Sequence, residues 1–157
     1  MGVGDTADLE KFLEPFDERV AELALWLRKF VWKLYPGCNE LIYDNYNALA
    51  VGWSPTLKLN DIFCSFAVYS NNAMHFGFYW GSRLRDPKRM LQGKGKQYRF
   101  IRVTSKKDFP SEYIKELMAE AHMNSLASAK AVDQAPRGET VVKMISAKKK
   151  RPQKSTT

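Results

Sequence analysis

The residues best equipped for chemistry in this chain are eight cations within residues 81–103: Arg83, Arg85, Lys88, Arg89, Lys94, Lys96, Arg99 and Arg102, set around a single acid, Asp86. Guanidinium and ammonium groups at this density recognise phosphates, carboxylates and other polyanions. Gly93-Lys94-Gly95-Lys96 invites comparison with a phosphate loop, and the comparison fails. A Walker A loop requires G-x-x-x-x-G-K-[ST], whereas Gln97 follows Lys96 and no glycine stands five residues before Gly95. A dinucleotide loop fails as well, because Tyr98 stands where its third glycine belongs. The glycines are expected to let a tight loop turn back into a sheet, and Asp86 before Pro87 to start the preceding turn and pair with a neighbouring arginine. The anion-binding set expected here is Arg83, Arg85, Arg89, Lys94, Lys96 and Arg99, although charged loops are often simply solvated.

Aromatic residues flank these cations. Tyr98, Phe100 and Arg102 alternate to one side of a predicted strand, while His75 and Tyr79 decorate the open side of the strand before it. If the two sides coincide, rings and arginines share one face, the composition of a platform for single-stranded nucleic acid, without an RNP-type motif. The run of bases at 148–151 would add phosphate contacts. Catalysis finds less to work with. His75 and His122 are the only histidines, no serine occupies a G-x-S-x-G elbow, and Cys64 alternates with core residues. Nothing in the spacing supports a Cys38–His75 pairing, so the chain is expected not to be an enzyme. H-E-x-x-H, paired C-x-x-C and EF-hand patterns are all absent.

The net charge of +8 is unevenly spread: residues 81–107 carry ten Lys/Arg against one Asp/Glu, and residues 137–157 seven against one, while residues 1–80 carry ten acids against six bases. Local field, more than total charge, selects a partner. Aromatics at 13% exceed what a disordered chain carries, so a packed domain is expected. No apolar run approaches the roughly 18 residues of a membrane span, and the start MGVGDTADLE has no apolar leader. That start does fit a loose acylation pattern through Gly2 and Thr6, read as a chance match because Asp5 and Asp8 would oppose an anionic membrane. Cys38 and Cys64 fit two reduced, buried thiols in a cytoplasmic protein.

The elements that must position these residues follow from periodicity. Residues 17–35 read as a helix with Val20, Leu23, Leu27, Phe30, Val31 and Leu34 on one stripe, ended by Pro36-Gly37 and preceded by a shorter helix over residues 6–14, capped by Thr6 or Asp8. Strands are predicted at 40–43, 48–53, 61–69, 74–80 and 97–104, with Ile62, Cys64, Phe66 and Val68 facing the core and Phe63 facing away. A single helical turn is expected at 88–91, and a last helix at 111–129 with Ser111 as its cap. The expected domains are an extension at 1–8, one folded unit at 9–129 and a flexible basic tail at 130–157, with room for a short strand at residues 140–145. The fold class is α+β: an antiparallel sheet of about five strands with N- and C-terminal helices packed on it.

Residues 74–103 resemble the signature of the YdhG-like family, small and mostly bacterial domains of unknown function. The matching residues are Phe76 and Phe78, Gly81, Leu84-Arg85-Asp86-Pro87, Leu91-Gln92-Gly93, Gly95-Lys96 and Arg99. The helix ending at Tyr35-Pro36, followed by Glu40 and an aromatic strand, extends the resemblance over residues 9–129. It implies a fold similar to frataxin and, since some members are described as iron chaperones, labile iron or an iron-accepting protein as partner. The metal residues it implies are Asp17, Glu18, Glu22 and Glu40, hard oxygen donors beside Asp8, Glu10, Glu14 and Asp44. Acids also belong at helix N-termini for electrostatic reasons alone. The family often carries Met-Pro after the Glu-bearing strand, where this chain has Asp44-Asn45-Tyr46-Asn47, which puts a shared ligand in doubt. The expected function is a non-catalytic binding module of iron-chaperone type, the alternative a polyanion or nucleic-acid binder using residues 81–103 and the tail. A second copy of the chain is a further candidate for the open sheet face.

Overall fold

Asp17 opens the long helix of the chain: its carboxylate accepts a long hydrogen bond from the Arg19 amide at 3.4 Å, in the N-cap position. In the computed structural model, which describes residues 7–152, the first two helices are α1 (Ala7–Leu13) and α2 (Glu18–Leu34). Gly2, Thr6 and the end of the expected tail lie outside the described residues. Leu23, Leu27 and Val31 of α2 are buried as the stripe requires, but so are Ala24, Arg28 and Trp32, while Leu34 is 38% exposed. The core face is thus rotated toward the 24–28–32 row and includes a charged residue.

The strands are β1 (Asn39–Asp44), β2 (Ala48–Ser54), β3 (Cys64–Tyr69), β4 (Met74–Phe78), β5 (Arg99–Arg102) and β6 (Thr140–Ile145), with α3 (Ser111–Ser128) between the last two. They form one sheet in the order β5-β4-β3-β2-β1-β6. The expectation of about five antiparallel strands is corrected to six in a mixed sheet. β1 to β5 pair antiparallel with their sheet neighbours, whereas β6 runs parallel to β1. The chain reaches that position by a long crossover containing α3, as a parallel pair demands.

All three helices supply the layer on one face of the sheet, over Ile42, Val51, Trp53, Phe66, Phe76 and Phe78. Phe63 belongs to this core, packing edge-on to Tyr35 and His122, and not to the open face. The reason is local. Leu59–Asp61 form a 3-10 turn, so β3 begins only at Cys64 and strict alternation does not reach back to Phe63. Ile62 instead fills the space over Gly52, where a Cβ would come within 2.8 Å of it.

Arg28 and Glu40, 3% and 0% exposed, form a two-pronged pair: Nε donates to Oε2 at 2.7 Å and Nη2 to Oε1 at 2.9 Å. The Thr140 hydroxyl donates to the same Oε1 at 2.9 Å, joining β6 to the pair. Asp44, 1% exposed at the other end of β1, receives Lys149 Nζ at 2.6 Å and the Arg151 guanidinium. The Lys150 amide donates to the Tyr46 carbonyl at 2.7 Å, and Lys149 and Arg151 lie over the rings of Phe12 and Phe16. The expected flexible tail therefore contains a strand and a strap that holds α1 to the β1–β2 turn.

Removing one partner of a buried ion pair leaves the other charge without compensation. Glu40→Gln should lower stability by roughly 3–5 kcal/mol in urea denaturation, while the joint change Arg28→Met with Glu40→Leu should lose far less. Equal losses in the single and joint variants would show that the pair's charges do not matter to the fold.

Candidate functional site

β4 gives way at Trp80 to a 3-10 turn, Gly81–Arg83. Gly81 is required there, since a Cβ would lie 2.9 Å from the Arg99 backbone nitrogen. Trp80 Nε1 donates to the Asn60 carbonyl at 2.9 Å, and the Arg83 guanidinium rests 4.2 Å from the Trp80 ring centre.

Asp86 organises the next stretch. Its carboxylate accepts the amides of Met90 and Leu91, each at 3.0 Å, and the Tyr113 hydroxyl at 2.5 Å. The Tyr113 oxygen in turn accepts the Lys88 amide at 3.0 Å. Among the described residues no arginine forms an ion pair with Asp86, and the helical turn expected at 88–91 is replaced by a reverse turn closed from the Arg89 amide to the Asp86 carbonyl at 2.9 Å. Two side-chain-bearing residues in this turn adopt left-handed backbone, Asp86 at φ 43 and Arg89 at φ 52. An aspartate tolerates this through local hydrogen bonds; an arginine gains no such relief.

The returning arm is fastened equally well. Ser82 binds the carbonyls of Lys96 and Gln97 through its hydroxyl and amide, at 2.8 and 2.9 Å. Gln92 and Phe100 exchange two backbone hydrogen bonds, which covers part of the outer edge of β5. Arg99 Nη1 donates to the carbonyls of Gly95 and Tyr98 at 2.6 and 2.8 Å.

The six expected anion-binding residues therefore divide. Arg99 is a fastener of the loop, and Arg83 lies on Trp80 with its charge still exposed. Arg85 approaches Glu120 at 3.6 Å with its side chain 86% exposed. Arg89, Lys94 and Lys96 are exposed and, among the described residues, have no ion pair. Of the tail's bases, Lys149 and Arg151 are engaged by Asp44 instead of being offered to a partner.

On the sheet face away from the helices, His75 lies opposite Arg102 and Gly77 opposite Phe100, so the two sides singled out in the sequence do coincide. The His75 and Phe100 rings stack at 3.9 Å with 9° between their planes, and Tyr98 continues the row at 5.7 Å and 19°. Tyr98 lies directly on Gly77, leaving no room for a Cβ, and burial pushes its hydroxyl pKa up. His75 Nδ1 and Tyr43 Oη are buried polar atoms with no hydrogen-bond partner among the described residues.

The acids expected to hold iron are not gathered. Asp17 caps α2, Glu40 is enclosed with Arg28 and Thr140, and Glu18 and Glu22 are exposed on α2. Among the described residues no group of three or more His, Cys, Asp or Glu side chains is placed to hold a metal ion. Burial raises both thiols, Cys38 to about 11 and Cys64 well above the ordinary value, so neither is a ready nucleophile. Cys38 precedes β1 and His75 sits on β4, with β2 and β3 between those strands. No described helix is long and apolar enough to cross a membrane.

Arg28 and Tyr113 were missed as organising residues. A charge in phase with Ala24 and Trp32 on the apolar stripe was the available signal for the first; the second gave none. Protein-family models, curated proteins and solved structures yielded no match to this chain, so the family resemblance is carried by its sequence motifs alone.

Burial, and then the Arg102 charge, lower the pKa of His75 from 6.5; burial lowers that of His122. Each is kept neutral in the fold and protonates more readily when unfolded, so its contribution is full above the unfolded value and is lost as pH falls through 6.5 toward the folded value. The urea midpoint should drop between about pH 7.5 and about pH 5.5, and the drop should shrink in a His75→Gln, His122→Gln double variant. The same drop in both proteins would assign it to other groups.

Proposed function

We propose that the chain is a non-catalytic module that binds polyanions through the basic loop at residues 81–96. The observation that carries this is the division of charge within the loop: its single acid, Asp86, is turned inward onto two amides and Tyr113, while Arg83, Arg85, Arg89, Lys94 and Lys96 face solvent. A mobile charged loop would be adequately explained by solvation. This one is fastened at Ser82, Asp86, Gln92 and Arg99, so ordering its backbone adds little to the cost of binding. The left-handed Arg89 points the same way, since glycine would hold that backbone with less strain and yet would give up a cation.

Loose iron handling is less well supported, because Glu40 is buried with Arg28 and Asp17 caps α2, which leaves Glu18 and Glu22 as the two exposed carboxylates of the four without such a role. Two exposed carboxylates form an unselective site.

Affinity for heparin or an oligonucleotide should fall steeply with salt, with a logarithmic slope of about −2 to −3.5 if roughly three to five charges are neutralised. A variant with Arg89, Lys94 and Lys96 all changed to Gln should bind far more weakly and with a shallower slope. Undiminished binding by that variant, or a flat salt response, would remove the proposal. Arg89→Gly alone should raise stability by about 1 kcal/mol while weakening binding. Its melting temperature and its salt titration check the two halves separately.

A further inference from the structure

The open face of the sheet goes unused by the loop's electrostatics. Its floor is low, with Ala50, Ala67 and Gly77 on neighbouring strands β2, β3 and β4. Over it runs the row Tyr98–Phe100–His75, with Tyr69 next to His75 at 4.8 Å. The Tyr69, His75, Tyr98 and Phe100 rings are half-buried, so part of each is open to solvent and available to the π faces of flat heterocycles. Tyr43 and His75 each add a buried polar atom without a partner among the described residues, while Arg102 stands exposed opposite His75. Lys94 and Lys96 lie on the loop that folds back along β5, the strand bearing Phe100.

We infer that this face takes the unpaired bases of a single-stranded nucleic acid whose phosphates lie along the basic loop. The inference rests on the polyanion reading and adds the chemical class of the ligand. Charge complementarity selects this occupant. Among the strand residues of this face none is acidic, so a second copy of the chain would offer the exposed Arg102 no opposite charge. A duplex hides the base faces that the rings could meet, and heparin has no flat heterocycle to offer.

The test uses the full chain with three probes at low salt: a fluorescein-labelled oligothymidylate, a duplex of the same length, and heparin. The oligothymidylate should bind about tenfold more tightly than the duplex, since each stacked base contributes on the order of a tenfold change. Phe100→Leu should lose about tenfold for the oligothymidylate and at most about twofold for heparin. A Lys94→Gln, Lys96→Gln variant should lose affinity for both. Ultraviolet crosslinking of the unaltered protein provides a readout independent of any variant's folding: adducts should fall on peptides containing Tyr69, His75 or Phe100. Equal binding of single strand and duplex, or adducts confined to residues 81–96, would overturn the inference and leave the polyanion reading standing. Failure of all three probes to bind would overturn that reading itself. Self-association abolished by Phe100→Leu, with oligothymidylate affinity unchanged, would assign the face to a second copy and overturn the inference.

Discussion

Between α2 and the sheet, in a largely apolar layer, the chain buries a guanidinium and a carboxylate together. Arg28 reaches down from the helix, Glu40 rises from the first strand, and Thr140 completes the shell of the carboxylate. Such a pair contributes little net stability compared with apolar side chains of the same volume, because desolvating two ions nearly offsets their attraction. What it contributes is registration. A carboxylate that can be buried only opposite one guanidinium fixes the rotation of α2, the position of β1 and the point at which β6 must join. Slipping β1 by one residue would carry Glu40 to the other face, out of the guanidinium's reach. The rest of the sheet is built outward from that fixed strand.

At the far edge, Asp86 plays the opposite part. It carries a negative charge amid eight cations, yet its oxygens are directed to backbone amides and a tyrosine, not to the arginines beside it. Its effect is to shape the loop while leaving the surrounding field strongly positive. Two carboxylates thus do contrasting work: one is neutralised by a cation to hold the core, the other organises backbone so that cations stay free.

Much of this was legible in the sequence, and the omissions have physical causes. α2, α3 and β1 to β4 follow from periodicity because each has an apolar face, and β5 from its aromatic and β-branched residues. The shared face of His75 and Phe100 follows from strict alternation along adjacent strands. The short strand at residues 140–145 was legible, but its place in the sheet was not, because an edge strand is only half-buried and Thr140–Ile145 lacks alternation in burial. The strap escaped because basic side chains near a chain end read as solvated, and nothing local reveals that Asp44 waits 105 residues away for Lys149. The turn at 88–91 was misread because local propensity there is overridden by Tyr113, 27 residues from Asp86. Resemblance to a family indicated iron; the positions of Glu40 and Asp17 in the fold show side chains with other work to do.

The strap also bears on how the protein is made. Glu40 meets Thr140 across 100 residues, and Asp44 meets Arg151 across 107. On a ribosome the first strand therefore emerges with two carboxylates meant for the interior long before the residues that complete their burial exist. Contacts of such separation also slow folding, since a long loop must close before they form. Until then β1 has an unpaired edge where β6 will lie, and an open edge invites pairing with another chain. Keeping two acids on that strand gives the nascent edge a charge that discourages such pairing, and the same acids become binding partners once the last residues arrive.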